Sequence, residues 1–176
     1  KGLVCALLEG AARDAELKKA AGLKQIEISA RAKGDLIMMG IGGFSPLSGF
    51  MTKADWKGVC DNFQMADGTF WPVPITLDVT TADAAEIAIG QEIALVRKGE
   101  TYATMKVTEK FEMTDADKRW ECEKVFKGEG EESVGDKFWE IAPKDHPGVI
   151  MVFAQKEFNL AGPVKVLSQG EYPVEY

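Results

Sequence analysis

Apolar residues recur at every second position in three separate stretches of the chain, and this spacing constrains the fold more than any other feature. Val73, Ile75, Leu77 and Val79 mark one face of a strand, Ile93 and Leu95 mark a second, and Ala103, Met105 and Val107 mark a third. Lys98-Gly99-Glu100 supplies a turn between the last two, which makes them a hairpin. Pro72 and Pro74 have no N–H to give to a ladder, so the first strand begins at a sheet edge or bulge after the Asp67-Gly68 turn. Gln25 to Ser29 alternates in the same way, and GVIMVFA (Gly148 to Ala154) and GPVKVL (Gly162 to Leu167) read as two closing strands.

Three modest helices fit around these strands. Leu3, Val4, Leu7, Leu8 and Ala11 recur at helical spacing and predict an N-terminal helix interrupted at Gly10. Thr52 caps a second helix, with Asp55 at the capping-box position and Trp56, Val59, Cys60 and Phe63 on one apolar face. Thr114 caps a third that runs to Phe126, placing Trp120 and Lys124 on one side and offering Cys122, Val125 and Phe126 to the core. No repeat of 20 to 50 residues is present. Many short strands, few helices and loops rich in Gly and Pro define a β-rich α+β fold, a distorted β-barrel with a few short helices, rather than alternating β and α units. A chain of 176 residues holds one such core, not two full domains.

The net charge of -7 repels nucleic-acid backbones and anionic membranes, so neither is an expected partner. No apolar run reaches the roughly 18 residues of a membrane-spanning helix, and the opening residues do not form a secretory signal. Cys5, Cys60 and Cys122 are odd in number and form no C-x-x-C pair; they suit reduced, buried thiols in a cytoplasmic protein. The acidic KGEGEESVGD stretch, Lys127 to Asp136, reads as a solvated loop.

The most unusual local sequence is MGIGGFSPLSGFM, Met39 to Met51, with four glycines, a proline and two phenylalanines. It lacks the G-x-x-x-x-G-K-[ST] spacing of a phosphate loop, and Ser45 lies in G-F-S-P-L, where Pro46 removes the N–H that an oxyanion hole would use. Its glycines permit positive φ and close backbone approach, Pro46 stiffens the turn, and Phe44, Leu47, Phe50 and Met51 supply apolar area. The loop therefore reads as a packing surface. His146 is the sole histidine, and beside a proline it suits a structural role, although Asp145 or Glu157 could orient it. Arg13, Arg31, Arg97 and Arg119 are scattered, without the convergence that phosphoryl chemistry requires. No catalytic, cofactor-binding or metal-binding residue is assigned.

GIGGFSPLSGFM, DGTFWPVPITLDV, DHPGV and GPVKVL, in that order, resemble the amino-terminal part of the ATP sulfurylase (sulfate adenylyltransferase) family, and the acidic stretch resembles the variety in sulfur-metabolising microbes. The resemblance implies a PUA-like β-barrel over residues 1–168, with residues 169–176 entering a linker to a catalytic domain that is absent from this chain. That family converts ATP and sulfate into adenosine 5′-phosphosulfate and pyrophosphate, reversibly, using Mg-ATP. Its Q-x-R-N-x-x-H-x-x-H type motif is missing here, so the chain carries no cofactor of its own and is expected to be inactive alone. What remains are structural or interdomain candidates: Phe44, Ser45, Pro46, Phe50, Met51, Trp71 and His146. Expected partners are the catalytic domain, covalent or separate, and further copies of the chain in a homo-oligomer. The alternatives are a PUA-like RNA-binding module and a non-catalytic subunit-interaction domain.

Overall fold

A nine-residue strand near the end of the chain organises the whole domain. In the computed structural model, which describes residues 2–126 and 146–168, the elements run α1 (Gly10–Ala20), β1 (Lys24–Glu27), α2 (Ala30–Gly40), β2 (Gly49–Phe50), α3 (Lys53–Asn62), β3 (Leu77–Val79), α4 (Thr81–Glu86), β4 (Glu92–Arg97), β5 (Glu100–Lys106), β6 (Glu109–Glu112), α5 (Asp115–Val125), α6 (Pro147–Phe153) and β7 (Phe158–Val166). β7 pairs antiparallel with β2, β3, β5 and β6 along different parts of its length. β5 continues to β4, and β4 to β1, the last pair being parallel. The outcome is a curled mixed sheet, a half-barrel flanked by helices, in keeping with the α+β reading.

The local rules explain the best-formed elements. The β4–β5 hairpin turns through Lys98 (φ 51°) and Gly99 (φ 82°), two consecutive left-handed residues that match the strand twist. The Thr52 and Thr114 side chains each accept from the backbone N–H three residues on, and Asp55 and Asp117 return the bond, so both capping boxes are complete. Ile26, Leu36, Met39, Phe50, Leu77, Ile93, Met105 and Leu160 then meet in one main core between the curled sheet and α2.

Several sequence expectations are corrected. Residues 3–8 are extended, not helical: Leu8 N–H donates to Val166 O, Val166 N–H to Ala6 O and Ala6 N–H to Met39 O, so this segment lines up beside the end of β7. GVIMVFA is the helix α6, not a strand. His146 Nδ1 accepts from Gly148 N–H at 3.1 Å, Pro147 takes the first helical position, and Val149 and Val152 turn inward. The helices α2 and α4 lie where none was expected. The first period-two stretch forms a ladder only from Leu77, with Val73 exposed. Phe63 terminates α3 in the left-handed region and is exposed, and Cys5 is exposed while Cys60 and Cys122 are buried. The acidic Lys127–Asp136 stretch, Asp145 and the linker expected at 169–176 lie outside the described residues.

Candidate functional site

The glycine-rich loop begins two residues later than its sequence suggests, because Met39 and Gly40 complete α2. Gly42 then takes φ 81°, where a Cβ would sit 2.8 Å from Cys5 Sγ and 3.0 Å from Leu3 Cδ1. At Gly49 the chain joins β7 so closely that a Cβ would collide with the Gly162 carbonyl. Between these points Ser45 Oγ accepts from Val4 N–H at 2.8 Å and donates to Gly2 O, tying the N-terminal segment to the loop, and a cis peptide bond links Ser45 to Pro46. Leu47, Phe50 and Met51 are buried, and half-buried Phe44 stands edge-on to Trp71 with ring centroids 5.6 Å apart. His146, by contrast, is remote in sequence from this loop and packs its ring 5.0 Å from that of Phe126 while capping α6.

Phe44 also forms part of the wall of a cavity of about 320 Å³ bounded by α2, the residues before β3, α5 and α6. Ile75, Val125, Phe126 and Val152 extend the apolar wall, while Arg31, Asp35 and Glu121 supply its charged lining. Arg31 and Asp35 stand one helical turn apart, with Arg31 Nη1 3.7 Å from Asp35 Oδ2. Nη2 of the same guanidinium donates to Thr76 O at 3.1 Å and lies 3.4 Å from Asp78 Oδ1. Across the cavity Trp56 Nε1 donates to Glu121 Oε2 at 2.6 Å, and Lys118 Nζ donates to Gln155 O at the same distance.

Burial dominates the electrostatics of these acids. Loss of water pushes the Asp35 carboxyl up to about 6, against the opposing pull of Arg31. Glu121 is also raised, again by burial first, with the Trp56 hydrogen bond and the Arg31 charge acting in the other direction. Asp35 Oδ2 has no hydrogen-bond partner, and neither does Gln155 Oε1, which belongs to another lining residue. The arrangement is a largely apolar cavity with the buried carboxyls of Asp35 and Glu121 in its lining. Among the described residues no group of three His, Cys, Asp or Glu side chains is placed to hold an ion.

Of the residues singled out in the sequence, Phe44, Ser45, Pro46, Phe50 and Met51 come together with Trp71 around the loop, and His146 belongs to the α5–α6 side. Arg31, Asp35 and Glu121 were not anticipated as a set. Ala32, Leu36 and Met39 at helical spacing behind Ser29 carried the signal for α2, and with it for Arg31 and Asp35 on neighbouring turns.

The half-barrel and its helices are those of a PUA-like domain, and a PUA-like family model matches residues 1–169. The chain belongs to that family. Over its whole length it is similar to the amino-terminal region of sulfate adenylyltransferases: 72% identical to that of Desulfovibrio desulfuricans and 68% identical to that of Desulfatibacillum aliphaticivorans. It spans only 41% and 42% of those two proteins. Among solved structures, the hexameric APS kinase from Thiobacillus denitrificans shares the fold with a TM-score of 0.66 and 23% identity, over 98% of this chain and 27% of that one. The RNA-binding alternative gains no support from these relatives.

Proposed function

We propose that this chain is the amino-terminal support domain of a sulfate adenylyltransferase of the sulfur-metabolising microbial type. The observation that carries the proposal is 72% identity to such a protein over every residue of the chain, combined with coverage of only 41% of that relative. In this reading a following catalytic domain binds Mg-ATP and sulfate and forms adenosine 5′-phosphosulfate and pyrophosphate, or runs the reaction backward, in the cytoplasm. The present domain shapes and orients it. Ile150, Met151 and Phe153 on α6, together with Phe70 and Val73, expose apolar area that suits contact with neighbouring protein, either that catalytic domain or a further copy.

The glycine-rich loop serves this role indirectly. Phe50 and Met51 lock it to the core, while Phe44 and Trp71 present its aromatic edge next to the exposed Val73. Ser45, Pro46 and His146 fix backbone segments and perform no chemistry on substrate in this reading. The test is pyrophosphate release from Mg-ATP and sulfate, measured for the purified chain and for the same chain fused to the remaining residues of the Desulfovibrio desulfuricans relative. Turnover is expected only from the fusion. Sustained turnover by the chain alone would overturn the proposal. Light scattering of both proteins reports whether copies assemble.

A further inference from the structure

We propose that the cavity between the first turn of α2 and the β4–β5 turn binds a phosphate group, free or carried as a monoester, through the side chains of Lys33, Arg97 and Lys98. The cavity measures about 390 Å³, room for a phosphate with a small body attached, and these three cations line it together with Ala30, Glu100 and Tyr102. Its donors are open to solvent: Lys33 and Arg97 are half-buried and Lys98 is exposed.

The hairpin and the helix gather the cations about one point. Arg97 pairs with Glu100 across the β4–β5 ladder, beside Lys98 in the turn, and residues paired in this way have Cβ atoms about 5 Å apart. Arg97 Nη1 donates to Ile28 O at 2.8 Å, which anchors the guanidinium just ahead of α2. Its other N–H groups make no hydrogen bond among the described residues. From α2 the Lys33 ammonium stands 5.3 Å from the centre of the Tyr102 ring, and its charge acts on Glu100. Arg97 and Lys33 are thus neighbours of the same carboxylate.

The positive charge here is left over from the ion pairing of the fold. Among the described residues no carboxylate oxygen stands within 4.0 Å of the side-chain nitrogens of Lys33, Arg97 or Lys98, whereas Lys19, Lys24 and Arg31 all have such partners. The carboxylate in the lining, Glu100, accepts from Ser168 Oγ, and that bond, assisted by Tyr102 and by the charges of Lys33 and Arg13, holds it below the ordinary carboxylate range. It is ionised but engaged. Glu27 accepts from the Lys98 backbone N–H at 3.1 Å and lies outside the lining. Even with Glu27 counted, cations hold the majority, a local reversal on a chain of net charge -7. A phosphate dianion turns these spare donors into charge-assisted hydrogen bonds; a cationic ligand would be repelled, and a neutral one would leave the charge uncompensated.

Phenyl phosphate, inorganic phosphate and benzoate are each titrated into the chain at pH 7 and constant low ionic strength, and followed by the backbone amide resonances of Gly99 and Tyr102. Phenyl phosphate is expected to give a saturable shift with a dissociation constant of about 1 mM or tighter, and benzoate, with the same ring and less charge, to bind at least about tenfold more weakly. Inorganic phosphate that binds at least as tightly as the ester assigns the site to the free ion, and weaker inorganic phosphate assigns it to an ester. Lys33→Gln combined with Lys98→Asn, a residue that tolerates the φ of 51° at this turn, should weaken phenyl phosphate by about tenfold or more with the circular dichroism spectrum unchanged. Lys33→Gln alone provides the same reading if the double variant does not fold. Lys18→Gln combined with Lys106→Gln removes the same charge from exposed positions outside the lining and should change the affinity by less than about twofold. No saturable shift with phenyl phosphate, equal affinity for benzoate, undiminished binding in the folded Lys33 variant, or equal weakening in the Lys18 and Lys106 variant would each overturn the site.

Discussion

Replacing Asp35 with Asn should remove a component of the pH dependence of stability, and the structure gives both its sign and its size. Burial raises the folded-state value of this carboxyl to about 6, from an ordinary 3.8, with Arg31 only partly offsetting the lost hydration. Below the ordinary value both the folded and unfolded chains hold the proton. Between the two values only the folded chain holds it, so unfolding releases a proton and stability falls as pH rises. Above about 6 both states are ionised, and the full penalty of the buried charge is in place. At about 1.4 kcal/mol for each pH unit separating the two values, the penalty reaches about 3 kcal/mol. Urea denaturation of both proteins from pH 4 to pH 8 isolates this component, because all other titrating groups are shared. The stability of Asp35→Asn minus that of the parent should climb by about 2.5 kcal/mol across this range, most of it by pH 6 to 7. Parallel curves would refute the argument that Asp35 is a dehydrated, inadequately paired acid.

Other consequences of the packing are open to the same kind of measurement. Phe50→Ala removes a fully packed ring and should destabilise the domain by about 3 to 5 kcal/mol in denaturant titration, while half-buried Phe44 should lose less; an equal or larger loss at Phe44 would contradict the burial order. Gly49→Ala places a methyl against the Gly162 carbonyl and should lower the melting temperature sharply, whereas Gly68→Ala, whose Cβ meets nothing within 4 Å, should show only the smaller strain of φ 82°. Thr114→Ala breaks the capping box of α5 and should cost about 1 kcal/mol, with faster amide exchange at Asp117 as its local signature. Burial pushes the Cys122 thiol up to about 12 and raises that of Cys60 as well, so an aromatic disulfide reagent at pH 8 should label exposed Cys5 in the native chain and the two buried thiols only in denaturant.

The elements that the sequence announces clearly are those whose determinants lie within a few residues of one another. Thr52 with Asp55, Thr114 with Asp117, and Lys98 with Gly99 each specify a backbone geometry without help from distant residues, and each forms as its chemistry requires. The misread segments are those in which a distant partner decides, or in which two local signals compete. Leu3 to Leu8 has helical spacing but gives its N–H groups to Met39, Gly40 and Val166. Seven apolar residues in GVIMVFA suit a buried strand as well as a helix, and periodicity cannot separate the two. His146-Pro147, a cap followed by a proline at the first helical position, was the local signal that distinguishes them.

The cavity was illegible for a related reason, since nothing local to Asp35 or Glu121 marks either acid as buried. They become buried only in the assembled fold, where α2 and α5 line one cavity and α6, the misread segment, supplies Val152 to the same wall. A domain required only to hold its neighbour could fill these two positions with leucine and avoid dehydrating a carboxyl, because a well-packed apolar residue is commonly neutral or stabilising where it replaces a buried charge. Asp35 is such a position: its Oδ2 is buried without a hydrogen-bond partner, and an uncharged side chain there is expected to stabilise the fold above about pH 6.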